Sequence, residues 1–191
     1  MPYLIDSDVF IQAKNEHYGF DFCPAFWHWI EAQHSEALVF SVEKVADELI
    51  AINDELAQWA TARGAAFFLP PDANVVNALS TVSAWATSQA YTPAAVADFL
   101  AHADYYLIAH ALAHGCAVVT HEVSSDSIKK IKIPNVCNAL GIPCMKPFKM
   151  LRTEAASFVL AAGVTGTSIS ALAPGAVAAP VVSPPSPSPS V

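Results

Sequence analysis

Basic charge is scarce in this sequence. It has nine lysines and arginines against seventeen acids, which gives a formal net charge of -8 at pH 7. A deficit of that size argues against a protein that coats nucleic acid with a uniformly basic surface. Cysteine is scarce as well, because the four cysteines form no CxxC pair and are far less dense than in a disulfide-stapled secreted domain. We therefore expect reduced thiols and a cytoplasmic location.

Targeting and membrane-spanning patterns are also lacking. The apolar start of the chain runs into Asp6 and Asp8 without the basic and long apolar regions of a signal peptide. The uncharged stretch over 155–191 is interrupted by glycine and proline, so we predict no membrane span and no membrane partner. Its second half, rich in alanine, proline and serine, cannot build a hydrophobic core. Residues 161–191 are therefore predicted to be a disordered tail.

What the sequence does contain is material for one core, with 54% hydrophobic residues in a chain of 191. Short apolar runs predict buried strands at 3–5, 37–40 and 117–120. Between these runs the apolar residues recur every three or four positions, which predicts amphipathic helices. Strands that alternate with helices imply right-handed βαβ units. We predict an α/β fold, a three-layer α/β/α sandwich with a mainly parallel central sheet, as one domain over residues 1–160.

Four acids stand where a parallel sheet gathers side chains at one edge. Asp6 ends the first strand, Glu122 follows a later strand, and Asp104 opens the helix that precedes it. Glu48 lies about two turns into a helix for which Ser41 is the predicted N-cap. Carboxylates brought within a few ångströms repel one another unless a divalent cation compensates them. Oxygen ligands with few cysteine or histidine partners favour Mg²⁺ or Mn²⁺ over Zn²⁺.

The segments that carry these acids resemble the motifs of PIN-domain ribonucleases, and in particular a PIN-like group found near toxin–antitoxin genes. The resemblance covers about residues 3–150. Two positions depart from the family pattern: Asp8 stands where asparagine is frequent, and Glu122 replaces an aspartate, which leaves Asp126 as a fallback ligand. The matching segments are Tyr3 to Ile11, Ser41 to Leu49, Asp104 to Ala109 and Val118 to Glu122.

The resemblance implies a metal-dependent endoribonuclease whose ions activate water for in-line attack on phosphorus, leaving a 5′-phosphate and a 3′-hydroxyl. It implies RNA as the substrate and, for a toxin, an antitoxin protein as a partner, and it leaves a homodimer open. Thr120 or Ser7 is expected to orient a carboxylate or a water. The residues implied as both catalytic and metal-binding are Asp6, Glu48, Asp104 and Glu122.

The few bases are unevenly placed, since six of the nine follow Asp126 and only one acid does. A basic segment beside an acidic metal site can grip RNA phosphates. We predict this substrate-binding role for Lys129, Lys130 and Lys132. The alternative is a lysine-rich loop that simply faces solvent.

Two other functions stay open from the sequence. The start of the chain also resembles the DxD motif of haloacid-dehalogenase-type phosphatases, in which Asp6 would be the nucleophile and Asp8 the acid/base. That family needs acidic metal ligands late in the chain, and no aspartate follows Asp126. The second alternative is a non-catalytic PIN-like module that binds a partner. His110 and His114 have a zinc-binding spacing but no third nearby ligand, so packing or surface positions are expected for them.

Overall fold

Five short parallel strands form the centre of the molecule in the computed structural model, which describes residues 1–159. Their order across the sheet is β3-β2-β1-β4-β5, and every paired neighbour runs parallel. The order reverses between β1 and β4, where such sheets form a crevice at the carboxyl ends of their strands. The strands are β1 (Tyr3–Ile5), β2 (Val39–Val42), β3 (Phe68–Leu69), β4 (Ala117–Val119) and β5 (Cys144–Met145).

Helices connect successive strands and cover both faces of the sheet, so the predicted α/β class and three-layer α/β/α arrangement are confirmed. A π-helical segment, Ala13–His17, directly continues the first helix. The helices are α1 (Ser7–Gln12), α2 (Pro24–Ser35), α3 (Glu43–Ala51), α4 (Glu55–Phe67), α5 (Ala73–Ser88), α6 (Pro93–Ala101), α7 (Ala103–His114), α8 (Ile133–Leu140) and α9 (Pro147–Thr153).

One compact unit extends from Met1 to Phe158. The tail predicted over 161–191 lies outside the described residues. Within residues 1–159, no helix combines the length and apolar character that crossing a membrane requires.

The hydrophobic core lies between the sheet and the flanking helices. All three residues of β1 and all three of β4 are buried, as expected for central strands of a parallel sheet. Aromatic rings fill one side of the core: the ring centroids of Phe10 and Trp59 are 5.5 Å apart, and those of Trp27 and Trp59 are 5.1 Å apart. Edge and tilted contacts of this kind suit aromatic packing in an interior.

One local prediction is wrong. Ser41 is not the N-cap of the helix after β2, because β2 continues to Val42 and α3 begins only at Glu43. The Ser41 hydroxyl instead donates a hydrogen bond of 2.6 Å to the carbonyl oxygen of Ile5 in the neighbouring strand. A buried hydroxyl needs a partner, and the adjacent strand supplies one across the sheet. Ser41 thereby fastens β2 to β1 at the edge where the acids lie.

Candidate functional site

A cavity of about 200 Å³ opens at the carboxyl ends of the strands. All four acids singled out in the sequence line it, and they come from four separate segments: the end of β1, α3, the first turn of α7 and the loop after β4. We call this cavity the acidic cleft. Its lining residues are Asp6, Ser7, Asp8, Glu48, Asp98, Phe99, His102, Asp104, Glu122, Lys130 and Ile131.

Asp6 is the most deeply placed acid of the cleft, with 3% of the residue exposed. It caps α1 by accepting the backbone N–H of Ser7 at 2.7 Å. The Thr120 hydroxyl lies 2.8 Å from one Asp6 carboxylate oxygen and 3.3 Å from an Asp8 oxygen, and so ties the end of β4 to the end of β1. Burial raises the pKa of Asp6 well above its ordinary value, and the nearby charges of Asp8 and Asp104 raise it further.

The pKa of Asp104 is raised as well, for the same kinds of reason. It lies in the first turn of α7, and burial, followed by the charges of Glu122 and Glu48, raises its pKa to about 6. Glu48 is half-buried, and its carboxylate accepts the backbone N–H of Ala103 at 3.3 Å. That bond joins α3 to the start of α7 and brings Glu48 beside Asp104.

Glu122 differs from the other three acids because a base already compensates its charge. Its carboxylate forms an ion pair with Lys132 and accepts the backbone N–H of Ile133 at 2.9 Å. Lys146 donates to the backbone carbonyl oxygens of His121 and Glu122. Glu122 therefore anchors the loop between β4 and α8 as well as lining the cleft.

The three lysines of the predicted RNA-binding segment have different surroundings. Lys130 is exposed and lines the cleft. Lys132 is half-buried and engaged with Glu122. Lys129 is exposed and does not line the cleft, and the same holds for the fallback ligand Asp126. Of the three lysines, Lys130 is the one whose position allows direct contact with a phosphate in the cleft.

The carboxyl end of α6 contributes residues that the sequence did not single out. Asp98 and His102 both line the cleft, and the Nδ1 atom of His102 lies 2.7 Å from the Asp98 carbonyl oxygen. This hydrogen bond, together with the nearby Asp98 carboxylate, raises the pKa of His102. The sequence carries one indication of this pair: Asp98 and His102 are spaced i,i+4 on a helix, and His102 is two residues before Asp104.

His110 and His114 lie on α7 outside the cleft. His110 is buried, and within the described residues its Nδ1 atom has no hydrogen-bond partner. Burial lowers its pKa to about 4. The Nε2 atom of His114 lies 3.2 Å from a carboxylate oxygen of Asp72. These positions fit packing and surface roles.

The donor chemistry of the cleft fits a hard divalent cation. It offers carboxylate oxygens, and two of its acids, Asp6 and Asp104, have raised pKa values because burial and like charges disfavour their ionised forms. The spacing is more open than a finished metal centre, since nowhere in residues 1–159 are three histidine, cysteine, aspartate or glutamate side chains placed to hold an ion. Of the four acids, Glu122 already has a cationic partner in Lys132.

The fold and the cleft define a class of protein: a parallel α/β sandwich with clustered acids at the carboxyl edge of its sheet. The chain belongs to the family described as Domain of unknown function (DUF4411), whose model matches residues 3–158. Searches of curated proteins and of solved structures found no match. The family match spans every residue that lines the acidic cleft.

Proposed function

We propose that the protein is a metal-dependent endoribonuclease of the PIN type and the toxin of a toxin–antitoxin pair. One observation carries the proposal: Asp6, Glu48, Asp104 and Glu122, from four separate segments, line a single cavity at the carboxyl edge of the sheet. Such convergence is costly for the fold, because like charges and burial both oppose ionisation. A fold that keeps these acids together despite this cost is typical of a site that binds a divalent cation and a phosphodiester.

Asp6 and Asp104 are the proposed principal ligands of Mg²⁺ or Mn²⁺, with Glu48 and Asp8 beside them. An ion held there would supply charge stabilisation at the scissile phosphate. Glu122 completes the proposed set only if its carboxylate leaves Lys132, so its role depends on that ion pair.

The remaining residues of the cleft act by orientation and by charge. The Thr120 hydroxyl holds the Asp6 and Asp8 carboxylates against the ends of β1 and β4. Glu48 fixes the first turn of α7, which carries Asp104. Lys130 supplies positive charge at the cleft, where it can contact a phosphate oxygen of RNA. We place the activity in the cytoplasm, where the four free thiols stay reduced.

Two observations favour a second candidate, a non-catalytic module that binds a protein partner. The lack of a ready three-residue metal group in the described part of the chain, together with the Lys132–Glu122 pair, is what a site converted to a structural cluster would show. The two candidates differ in their response to metal.

The test is cleavage of labelled single-stranded RNA by the purified protein. We expect cutting in Mg²⁺ or Mn²⁺ and none in EDTA. Asp6→Asn and Asp104→Asn should still bind RNA but cut at least a hundredfold more slowly, since each removes a charge from the cleft. Asp126→Asn is the matched control, because the same substitution is made at an exposed position outside the cleft.

Wild-type cutting that persists in both cleft variants would exclude the acids as the metal site. Absence of cutting with either metal would favour the non-catalytic module. Growth arrest on expression, lost in Asp104→Asn, tests the toxin assignment separately.

A further inference from the structure

We propose that the surface formed by α9 and two neighbouring histidines is a binding surface for single-stranded RNA, with an unpaired base stacked on its rings. This α9 surface consists of Phe148, Lys149, Arg152, His17 and His121. The proposal deepens the nuclease assignment and rests on it. It adds a substrate-binding surface that lies outside the acidic cleft and outside the segment from Lys129 to Lys132.

Three aromatic rings meet at this surface. The Phe148 ring centroid is 5.5 Å from that of His17 and 6.2 Å from that of His121, and the two histidine rings are 6.0 Å apart. Phe148 is 39% exposed, and 34% of the His17 side chain is exposed. A partly exposed ring with two aromatic neighbours is the kind of group on which an unpaired base can stack.

Two basic side chains lie on the same helix as Phe148. Lys149 and Arg152 are both exposed on α9, and in the described part of the chain neither forms an ion pair with a carboxylate. Arg152 is held by a hydrogen bond of 3.4 Å from its guanidinium to the Phe148 carbonyl oxygen. Acids also border the surface: a Glu16 carboxylate oxygen lies 4.0 Å from the Nε2 atom of His17, and the Asp8 carboxylate accepts the backbone N–H of His121. Free basic groups beside an exposed ring match a sugar–phosphate backbone beside a base.

The α9 surface is continuous with the acidic cleft. The backbone N–H of His121 donates to the carboxylate of Asp8 at 3.1 and 3.2 Å, and Asp8 lines the cleft. Lys146, which directly precedes α9, donates to the carbonyl oxygens of His121 and Glu122. His121 thus connects the rings to the side of the cleft that Asp8 lines, and this is the path proposed for the strand. The acidic remainder of the molecule repels RNA, so the basic residues of α9 provide a complementary exit path.

Stacking requires an unpaired base, so the expected ligand is single-stranded RNA and not a duplex. The test measures binding and cutting separately. Binding of a short fluorescein-labelled RNA without self-complementarity is followed by fluorescence anisotropy in EDTA, where the proposed cutting is absent. A duplex of the same length serves as the competitor.

Phe148→Ala should weaken binding of the single strand about tenfold and leave duplex binding unchanged. Phe148→Trp should keep the affinity, because it keeps a stacking face. Phe148→Leu should behave like the alanine variant although it retains apolar bulk, which separates stacking from a packing role. Phe22→Ala is the matched control, because Phe22 is 66% exposed and has no ring neighbour among residues 1–159.

The charge contribution has its own readout. The double variant Lys149→Gln, Arg152→Gln should reduce the salt dependence of single-strand binding by about 1.4 in the slope of log K against log salt, at about 0.7 for each phosphate contact. Equal affinities for Phe148→Ala, Phe148→Trp and Phe22→Ala, with metal-dependent cutting intact, would overturn the α9 surface while leaving the nuclease proposal in place. Failure of the wild type to bind or cut RNA would overturn both.

Discussion

Replacing Asp104 with asparagine should stabilise the protein, which is unusual for a residue in a proposed active site. The raised pKa of about 6 means that the folded protein favours the neutral carboxyl, whereas the carboxyl of the unfolded chain ionises near its ordinary pKa of 3.8. Below about pH 4 both states are protonated and the group costs nothing. Between the two pKa values the unfolded chain loses its proton first, so the penalty on folding grows. Above about pH 6 the penalty is complete.

The size of this folding penalty follows from the difference between the pKa values of Asp104 in the folded and unfolded states. About two pKa units at about 1.4 kcal/mol each give roughly 3 kcal/mol at neutral pH. Asparagine has a similar shape and no charge, so Asp104→Asn should raise the free energy of unfolding by up to roughly 3 kcal/mol at pH 7 and by little near pH 4. In a domain of this size that corresponds to a rise of roughly 6–12 °C in Tm.

The assay is urea unfolding of wild type and variant in EDTA, from about pH 4 to about pH 8. Asp126→Asn is the control, because it makes the same substitution at an exposed position outside the cleft. A gain that is the same at every pH, or a variant less stable than wild type at pH 7, would refute the argument that burial and the acids around Asp104 oppose its ionisation.

Three further predictions concern the metal ion, Thr120 and His110. Mg²⁺ or Mn²⁺ at a hundred times its Kd should stabilise the wild type by about 2.7 kcal/mol, measured in a thermal-shift assay. The Asp104→Asn variant should lose most of that stabilisation. Equal thermal shifts for the two proteins would place the ion elsewhere. Thr120→Val should cost about 1–3 kcal/mol in unfolding free energy, because it removes the hydroxyl that contacts Asp6 and Asp8, and Thr120→Ser should restore it. The low pKa of His110, about 4, means that the folded state favours the neutral ring, so stability should fall as pH drops from about 6.5 to about 4. His110→Leu should remove that loss, and an unchanged acid limb in urea unfolding would contradict the assignment.

Much of the fold is encoded in local patterns. The apolar run of β1 forms the strand that the sequence predicts, and α5 has the three- and four-residue apolar spacing predicted for the helices. At the start of α6, the Thr92 hydroxyl accepts the N–H of Ala95 as an N-cap. Gly115 ends α7 with φ of 65°, a conformation that favours glycine. The strands β3 and β5 escape prediction because each has two residues, too few to show any periodicity.

The sequence by itself determined the α/β class and the four acids worth attention, because both follow from residue type and short-range spacing. Only the tertiary structure decided that the charge of Asp104 adds to the burial and the Asp8 charge that raise the pKa of Asp6, and that Glu122 forms an ion pair with Lys132. It also decided that Asp98 joins the cleft. The physical reason is that periodicity shows which face of an element is apolar. The partners that meet at the end of a sheet are set by packing between segments far apart in the chain.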